Sequence, residues 1–413
     1  MATAFRSVVA LLLSTLIFLM GAGLLTTLIP VRAHIAGFSD FALGVIGSFY
    51  YVGFIAGCFT GPRLFACAGH SRTFAVAAGL ATTAVLLQAL QVSVIAWILT
   101  RGLFGFAAAM LYMTMESWLN DRATNQTRGR IFASYMVVNY LGLMLGQWLF
   151  VTGRPSSFSL FSLAAIFYAL CPIPVGLTRT PQPMAIKPPR LDPLKIFRLS
   201  PVGVAGCIVV GFANAAVWVF LPIYAQDHGM TRGALAALMV AFTLGGALSQ
   251  WPVGRLSDHI DRRFVIAAVT LAAAAAGICL YFFGGGSKTL TMALVWVFGF
   301  LSLPLYGLSV AHTNDRLTRD MFVEASATLL LINAVASAFG PVLGALVTMH
   351  FGTASLFLYT AVFHLAMLVF TLVRLAETPA APGALREPFE PMPLQAASPG
   401  VVELDPRSPE TAA

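Results

Sequence analysis

The sequence predicts an all-α membrane protein: 12 transmembrane helices forming two six-helix bundles related as parallel repeats, with both termini cytoplasmic. Three observations predict it. The composition is too apolar for water, twelve apolar runs have spanning length, and one half of the chain repeats the other.

Of the 413 residues, 58% are hydrophobic and 10% charged, and the mean hydropathy is +0.84. A soluble domain carries about 25% charged and about 45–50% apolar residues. So few charges cannot cover a surface in water, which excludes a soluble enzyme, a secreted disulfide scaffold and a disordered chain. The expected surroundings are a lipid bilayer, the inner (plasma) membrane of a bacterial-type cell. The net charge of +8 could suggest nucleic acid, but the basic residues sit in short segments between apolar runs and form no face, so no nucleic-acid partner is expected. The five cysteines include no CxxC pair and read as small hydrophobes, not as metal ligands or disulfides.

A membrane helix needs roughly 20 mostly apolar residues. The first six such runs are 7–31, 41–62, 73–92, 95–118, 130–151 and 158–177, and the second six are 200–225, 233–254, 264–284, 289–312, 325–350 and 355–374. The first exceeds the 7–15 residues of a signal-peptide core, so it is read as helix 1. With the N-terminus inside, nineteen of the 24 Lys and Arg fall in inner segments, four in outer loops, and Arg101 inside span 4; such a bias places both termini in the cytoplasm. The domains are then 1–177, a basic Pro-rich cytoplasmic linker at 178–199, a second bundle at 200–375, and a tail at 376–413. The tail is rich in Pro, Glu and Ala without apolar periodicity, so it is expected to be disordered.

The halves match at an offset of about 193 residues. Leu111-Tyr112 and Asn120-Asp121-Arg122 recur as Leu305-Tyr306 and Asn314-Asp315-Arg316, Asn139 and Gly146 as Asn333 and Gly340, and Gly61 as Gly254. The segment Gly254 to Arg263 resembles the loop signature G-x-x-x-D-R/K-x-G-R-R/K of the major facilitator superfamily, with His259 and Asp261 replacing a basic residue and a Gly. The copy from Gly61 to Arg72 keeps Gly and Arg but lacks the acid. Arg101 to Ala108 resembles that superfamily's helix-4 pattern R-x-x-x-G. Glu116-Ser117-Trp118-Leu119 followed by Arg128-Gly129-Arg130 is similar to its YcaD-like branch. The resemblance implies a secondary transporter working by alternating access, with a solute site near the midplane between the halves.

Two charged residues stand out in the spans. Burying Arg101 costs about 2.5–3.5 kcal/mol, which a residue facing a polar cavity can sustain; the resemblance implies a part in proton coupling or in binding an anionic group, the alternative being an Arg snorkelling to the outer interface. Glu116, the one acid inside a predicted span, lies roughly 22 Å from Arg101 along the axis at about 1.5 Å per residue. It is a candidate proton carrier, or else the partner of Arg128 or Arg130. Asn139 and Asn333, at equivalent places in spans 5 and 11, are candidate solute ligands or interhelical glue. Asn214 and Trp218 share one face of span 7, and Tyr51 and Tyr306 add aromatic surface with a polar tip. These aromatics with Arg101 suit a partly aromatic small organic solute.

At the inner gate, the resemblance implies that Asp258 and Asp261 of loop 8–9 meet Arg128 and Arg130 at the start of helix 5, and that Arg63 and Arg72 of loop 2–3 meet Asp320 and Glu324; the alternative is independent solvated charges that serve orientation. Gly284-Gly285-Gly286-Ser287-Lys288 is not a phosphate loop, because Ser287 separates Gly from Lys and the loop faces outward. With neither HExxH nor GxSxG, the chain is expected to be no enzyme and to need no cofactor or metal. His364 reads as a packing residue. The expected function is a monomeric secondary transporter of a small organic solute, coupled to protons by symport or antiport, with efflux and uptake both open. A passive facilitator, a vitamin or nutrient importer, and a transport-dead receptor signalling through the tail are the alternatives.

Overall fold

The computed structural model describes residues 2–124, 126–178, 183, 191–318, 321–377, 379 and 388–392, with side chains from Ser7 onward. Among the described residues there is helix but no strand. Twelve helices among the described residues have spanning length: α1 Ser7–Ile35, α2 Asp40–Ala68, α3 His70–Leu90, α4 Val94–Arg122, α5 Arg128–Thr152 and α6 Ser159–Gly176 in one half. The other half has α7 Pro201–Asp227, α8 Arg232–His259, α9 Arg262–Phe283, α10 Lys288–Asn314, α11 Phe322–Phe351 and α12 Thr353–Glu377. All-helical spanning follows from the need to satisfy every backbone group inside lipid.

Twelve crossings bring α1 in and α12 out on the same face, here the termini face; the other is the far face. On the far face α2, α4 and α8 begin at Ser39, Ser93 and Thr231, whose hydroxyls accept the N–H three residues on, at 3.2–3.3 Å, as N-caps do. On the termini face α2, α4 and α8 run several residues past the ends read from hydropathy. The scale senses only the apolar stretch, while the polar last turns stay hydrogen-bonded beyond it. Asp121, Arg122 and Asp258 therefore stand on helices rather than in loops, and Glu116 is not the only helical acid. It and Asp315 are, however, the only buried carboxylates among the described residues. In α10 the helix breaks at Pro304, which has no N–H to continue the ladder.

Inside each half, glycines let helices approach to backbone contact. A methyl group on Gly53 or Gly105 would overlap the partner backbone across α2 and α4, and one on Gly245 or Gly299 would do so across α8 and α10. Gly23 and Gly146 do the same between α1 and α5, Gly211 and Gly340 between α7 and α11. Such small-residue seams supply close van der Waals packing where lipid gives no hydrophobic drive between helices.

The halves meet on the far face. Gly44 and Gly47 of α2 lie against Pro341 and Ala345 of α11. Gln147 of α5 bonds Thr243 of α8 at 2.9 and 3.0 Å. His34 reaches Asp227 at 3.3 Å, and Arg232 donates to the Gly153 carbonyl at 2.5 Å. Toward the termini face α5 and α8 part around a cleft of about 680 Å³.

Between the halves, Pro193–Leu199 forms a short helix capped by Asp192, which accepts the Lys195 N–H at 3.0 Å. Past α12, residues 388–392 are seated in the structure: Phe389 and Pro391 line the cleft, and Met392 is buried. The expectation of a featureless tail does not hold for these five residues, because Phe389 and Met392 are apolar anchors that find a matching surface.

Candidate functional site

Near the far face, α1, α2, α4 and α7 line a cavity of about 70 Å³. Tyr50 and Tyr51 of α2, Arg101 and Phe104 of α4, Trp218 of α7 and Thr26 of α1 line it. The structure thus brings Arg101, Tyr51 and Trp218 to one wall-to-wall site, one residue group from each half. The Arg101 guanidinium carbon lies 4.9 Å from the Tyr50 ring centroid and 5.3 Å from that of Phe104, within the range of cation–π attraction. Its Nε has no hydrogen-bond partner, and no carboxylate pairs with it among the described residues. A half-buried cation held only by ring faces keeps planar N–H donors for a carboxylate, phosphate or carbonyl. Trp218 Nε1 also lacks a partner and offers one more donor.

The other predicted ligands lie elsewhere. Asn139 and Asn333 are not on this cavity's wall. The Asn139 amide donates to Tyr135 O one turn back in α5 at 2.9 Å, and the Asn333 amide donates to Cys207 O of α7, in its own half, at 2.9 Å. A buried amide seeks the nearest carbonyl, and in both repeats that carbonyl is inside the bundle. Asn214, one turn from Trp218, makes a long 3.5 Å bond to Ser302 O and leaves its Oδ1 unbonded. Tyr306 packs where three apolar clusters meet, beside the break in α10.

Glu116 is fully buried in α4 and accepts a 2.7 Å hydrogen bond from the Tyr135 hydroxyl of α5. It belongs to the interior of the first half, not to the Arg101 cavity.

Asp258, Asp261 and Glu324 of the predicted gate have partners in this arrangement. Asp258 accepts from Arg262 at 3.1 Å and from the Phe389 N–H at 2.8 Å. Arg262, 1% exposed, also donates to Asp315 at 2.7 Å and Ser257 at 2.9 Å, tying loop 8–9 to the end of α10. Asp261 caps α9 and pairs with Arg263 at 2.7 Å. Burial works to raise the Asp261 carboxyl, but hydrogen bonds from the Arg263 side chain and backbone prevail and hold it below its ordinary value. Glu324 pairs with Lys195 of the linker helix at 3.6 Å. Arg63, Arg72 and Arg130 are exposed, Arg128 is buried at the start of α5, and Asp320 lies outside the described residues. Asp258, Asp261 and Glu324 therefore bond within the second half or to the linker and tail.

The first half solves the same loop differently. The offset that aligns Gly61 with Gly254 puts Phe65 opposite Asp258 and His70 opposite Arg263. Phe65 and His70 stack at 4.8 Å, and His70 shares a 3.1 Å hydrogen bond with Ser117. Ring stacking stands there in place of the charged network.

The sequence pattern known as Major Facilitator Superfamily matches residues 11–317 and, in a second alignment, 203–402. The chain belongs to the Major Facilitator Superfamily. It is a multi-pass membrane transporter of that family and not an enzyme. Among curated relatives it is 25% identical over 381 residues to "Uncharacterized MFS-type transporter YcaD" of Salmonella newport (strain SL254), covering 92% of this chain and 98% of that one. It is 24% identical over 358 residues to the protein of the same name from Escherichia fergusonii, covering 86% and 92%. Among solved structures, the nucleoside transporter NupG superposes with a TM-score of 0.71 at 13% identity, covering 90% of this chain and 99% of that one. A D-xylose-proton symporter superposes with a TM-score of 0.71 at 15% identity, covering 92% and 99%. At these identities the superpositions establish the superfamily fold.

Proposed function

We propose that this superfamily member carries a small organic anion with an aromatic or otherwise planar portion, bound at Arg101 between the two halves. The reading rests on one observation: a half-buried arginine, without a carboxylate partner among the described residues, lies against Tyr50 and Phe104 where Trp218 of the other half closes the cavity. A planar solute would stack on the rings while its anionic group takes the guanidinium fork. Proton coupling is assigned to Glu116, a buried carboxylate hydrogen-bonded to Tyr135. On the charge bias of its loops, the termini face is cytoplasmic. The state described is then inward-facing, with the outer side closed, in an inner membrane.

Purified protein screened by thermal shift against organic anions, neutral metabolites and organic cations tests this. Ring-bearing anions should raise the melting temperature of wild type and fail to do so for Arg101→Gln, with Arg101→Lys retaining part of the effect. A response that is unchanged in Arg101→Gln, or confined to cations, would overturn the assignment.

A further inference from the structure

The stretch Pro388-Phe389-Glu390-Pro391-Met392 sits across the cleft between α5 and α8. Its Phe389 N–H donates to Asp258 Oδ1 at 2.8 Å, so a backbone group of the tail occupies the acid of the loop signature. The Phe389 ring fills a notch made by two glycines. A methyl on Gly307 would lie 3.0 Å from its Cζ, and one on Gly254 would overlap the ring. Three residues on, the Met392 carbonyl accepts from the Tyr140 hydroxyl at 3.1 Å. The Met392 side chain, 5% exposed, joins a cluster with Ile196 of the linker helix, Val204, Val310 and Phe322.

These anchors come from both halves. Gly254, Asp258 and Gly307 belong to the second, and Tyr140 to the first. The segment therefore bridges the halves, and Phe389 and Pro391 form part of the wall of the roughly 680 Å³ cleft. A proline on each side of Phe389-Glu390 favours an extended backbone before docking, which lowers the entropy lost on seating. In the alternating access proposed above, closing the termini face would bring α5 and α8 together where the segment now lies.

We propose that residues 388–392 are an intramolecular plug, and that the cleft between α5 and α8 is a docking site for this peptide whose occupancy holds the termini face from closing. Transport then requires the plug to leave. The alternation this blocks rests on the transporter reading above, whereas the docking is independent of which solute is carried.

The test uses the full chain in nanodiscs and needs no solute. Gln250 lines the same cleft and is 5% exposed with the segment seated. Gln250→Cys is labelled with a water-soluble maleimide and followed by peptide mass spectrometry, with exposed Cys67 as the internal reference. Burial of one phenyl ring corresponds to about a tenfold to hundredfold docking preference. The paired changes Phe389→Ser and Met392→Ser should therefore speed labelling at least about tenfold relative to Cys67. Gly307→Leu, which fills the notch but leaves the tail intact, should do the same. Adding a synthetic peptide of residues 386–395 to the Phe389→Ser/Met392→Ser protein should restore protection. Equal labelling with and without the tail changes, or no protection by the peptide, would overturn the plug. Failure of the Arg101 thermal-shift screen would leave this result untouched.

Discussion

Gln147 grips Thr243 across the boundary between the halves: its Nε2 donates to the threonine Oγ1 at 2.9 Å, and its Oε1 lies 3.0 Å from the same hydroxyl. Gln147 stands where the repeat copy in α11 has Pro341, and Pro341 closes the other inter-half seam against Gly44 and Gly47 of α2. One repeat position thus builds both far-face seams, once with an amide and once with a ring. The departure from proline in α5 is a contact in its own right.

Gln147→Ala should loosen the far face without unfolding the protein. At about 1 kcal/mol per hydrogen bond, the opening equilibrium should shift by roughly five- to thirtyfold. Maleimide labelling of a Thr26→Cys reporter in the cavity, applied from the far side, would show it as faster modification. Thr243→Val should produce much of the same change, and the double mutant should add little. Fully additive effects would mean that the two residues do not act as one latch.

Glu116→Gln should abolish proton-driven accumulation while equilibrium exchange of solute continues. Tyr135→Phe should weaken accumulation in the same direction, because a hydrogen bond to a charged group contributes about 1.5–3 kcal/mol. The check is solute uptake into proteoliposomes as a function of pH. If the pH dependence of Glu116→Gln equals that of wild type, the carboxylate carries no proton for transport.

Arg262→Met should destabilise the protein by about 3–5 kcal/mol, the cost of removing one partner of a buried ion pair, here the pair with Asp315. Combining it with Asp315→Leu should recover a large part of the loss, since neither charge then remains buried. Melting in detergent measures both. A double mutant less stable than Arg262→Met would show that the network stabilises by more than mutual neutralisation.

Asp261 contributes a pH-dependent part of stability. Its carboxyl is held below the ordinary value, so its contribution is complete above that value, about 3.9, and fades as pH falls through the lower folded-state value. Asp261→Asn should therefore melt earlier than wild type at neutral pH, with the gap closing only in acid below about pH 4. A gap that instead widened toward low pH would assign the wrong sign.

Much of this architecture was legible in the sequence because lipid imposes a coarse rule on it. Apolar runs marked the twelve spanning helices found among the described residues. Helix ends were not legible, since residues such as Asp121 and Asp258 continue the helix beyond the apolar stretch. Arg101 was legible as a charge in an apolar span, and its neighbours Tyr51 and Trp218 as amphipathic rings. Asn139 and Asn333 misled because repeat symmetry equates positions without saying which way an amide turns, and both turn to carbonyls inside their bundles. Tyr50, beside Tyr51 and under the guanidinium, was missed although the tandem pair was visible. The seating of Phe389 was missed because composition averages over the tail, and one aromatic among prolines does not shift an average.

The glycine seams bear on how the protein can change over evolutionary time. Helices joined at backbone contact, as α2 is to α4 and α8 to α10, cannot slide past one another, so they behave as paired struts, and motion is confined to the few contacts between the halves. The rings of Tyr50, Tyr51, Phe104 and Trp218 line the cavity. On the proposed solute site, substitutions at Tyr51 or Trp218 would alter which solute fits without loosening a strut, whereas almost any side chain larger than hydrogen at Gly53 or Gly299 would loosen one. At the proposed site, solute fit and strut rigidity thus rest on different residues, so one can change without the other.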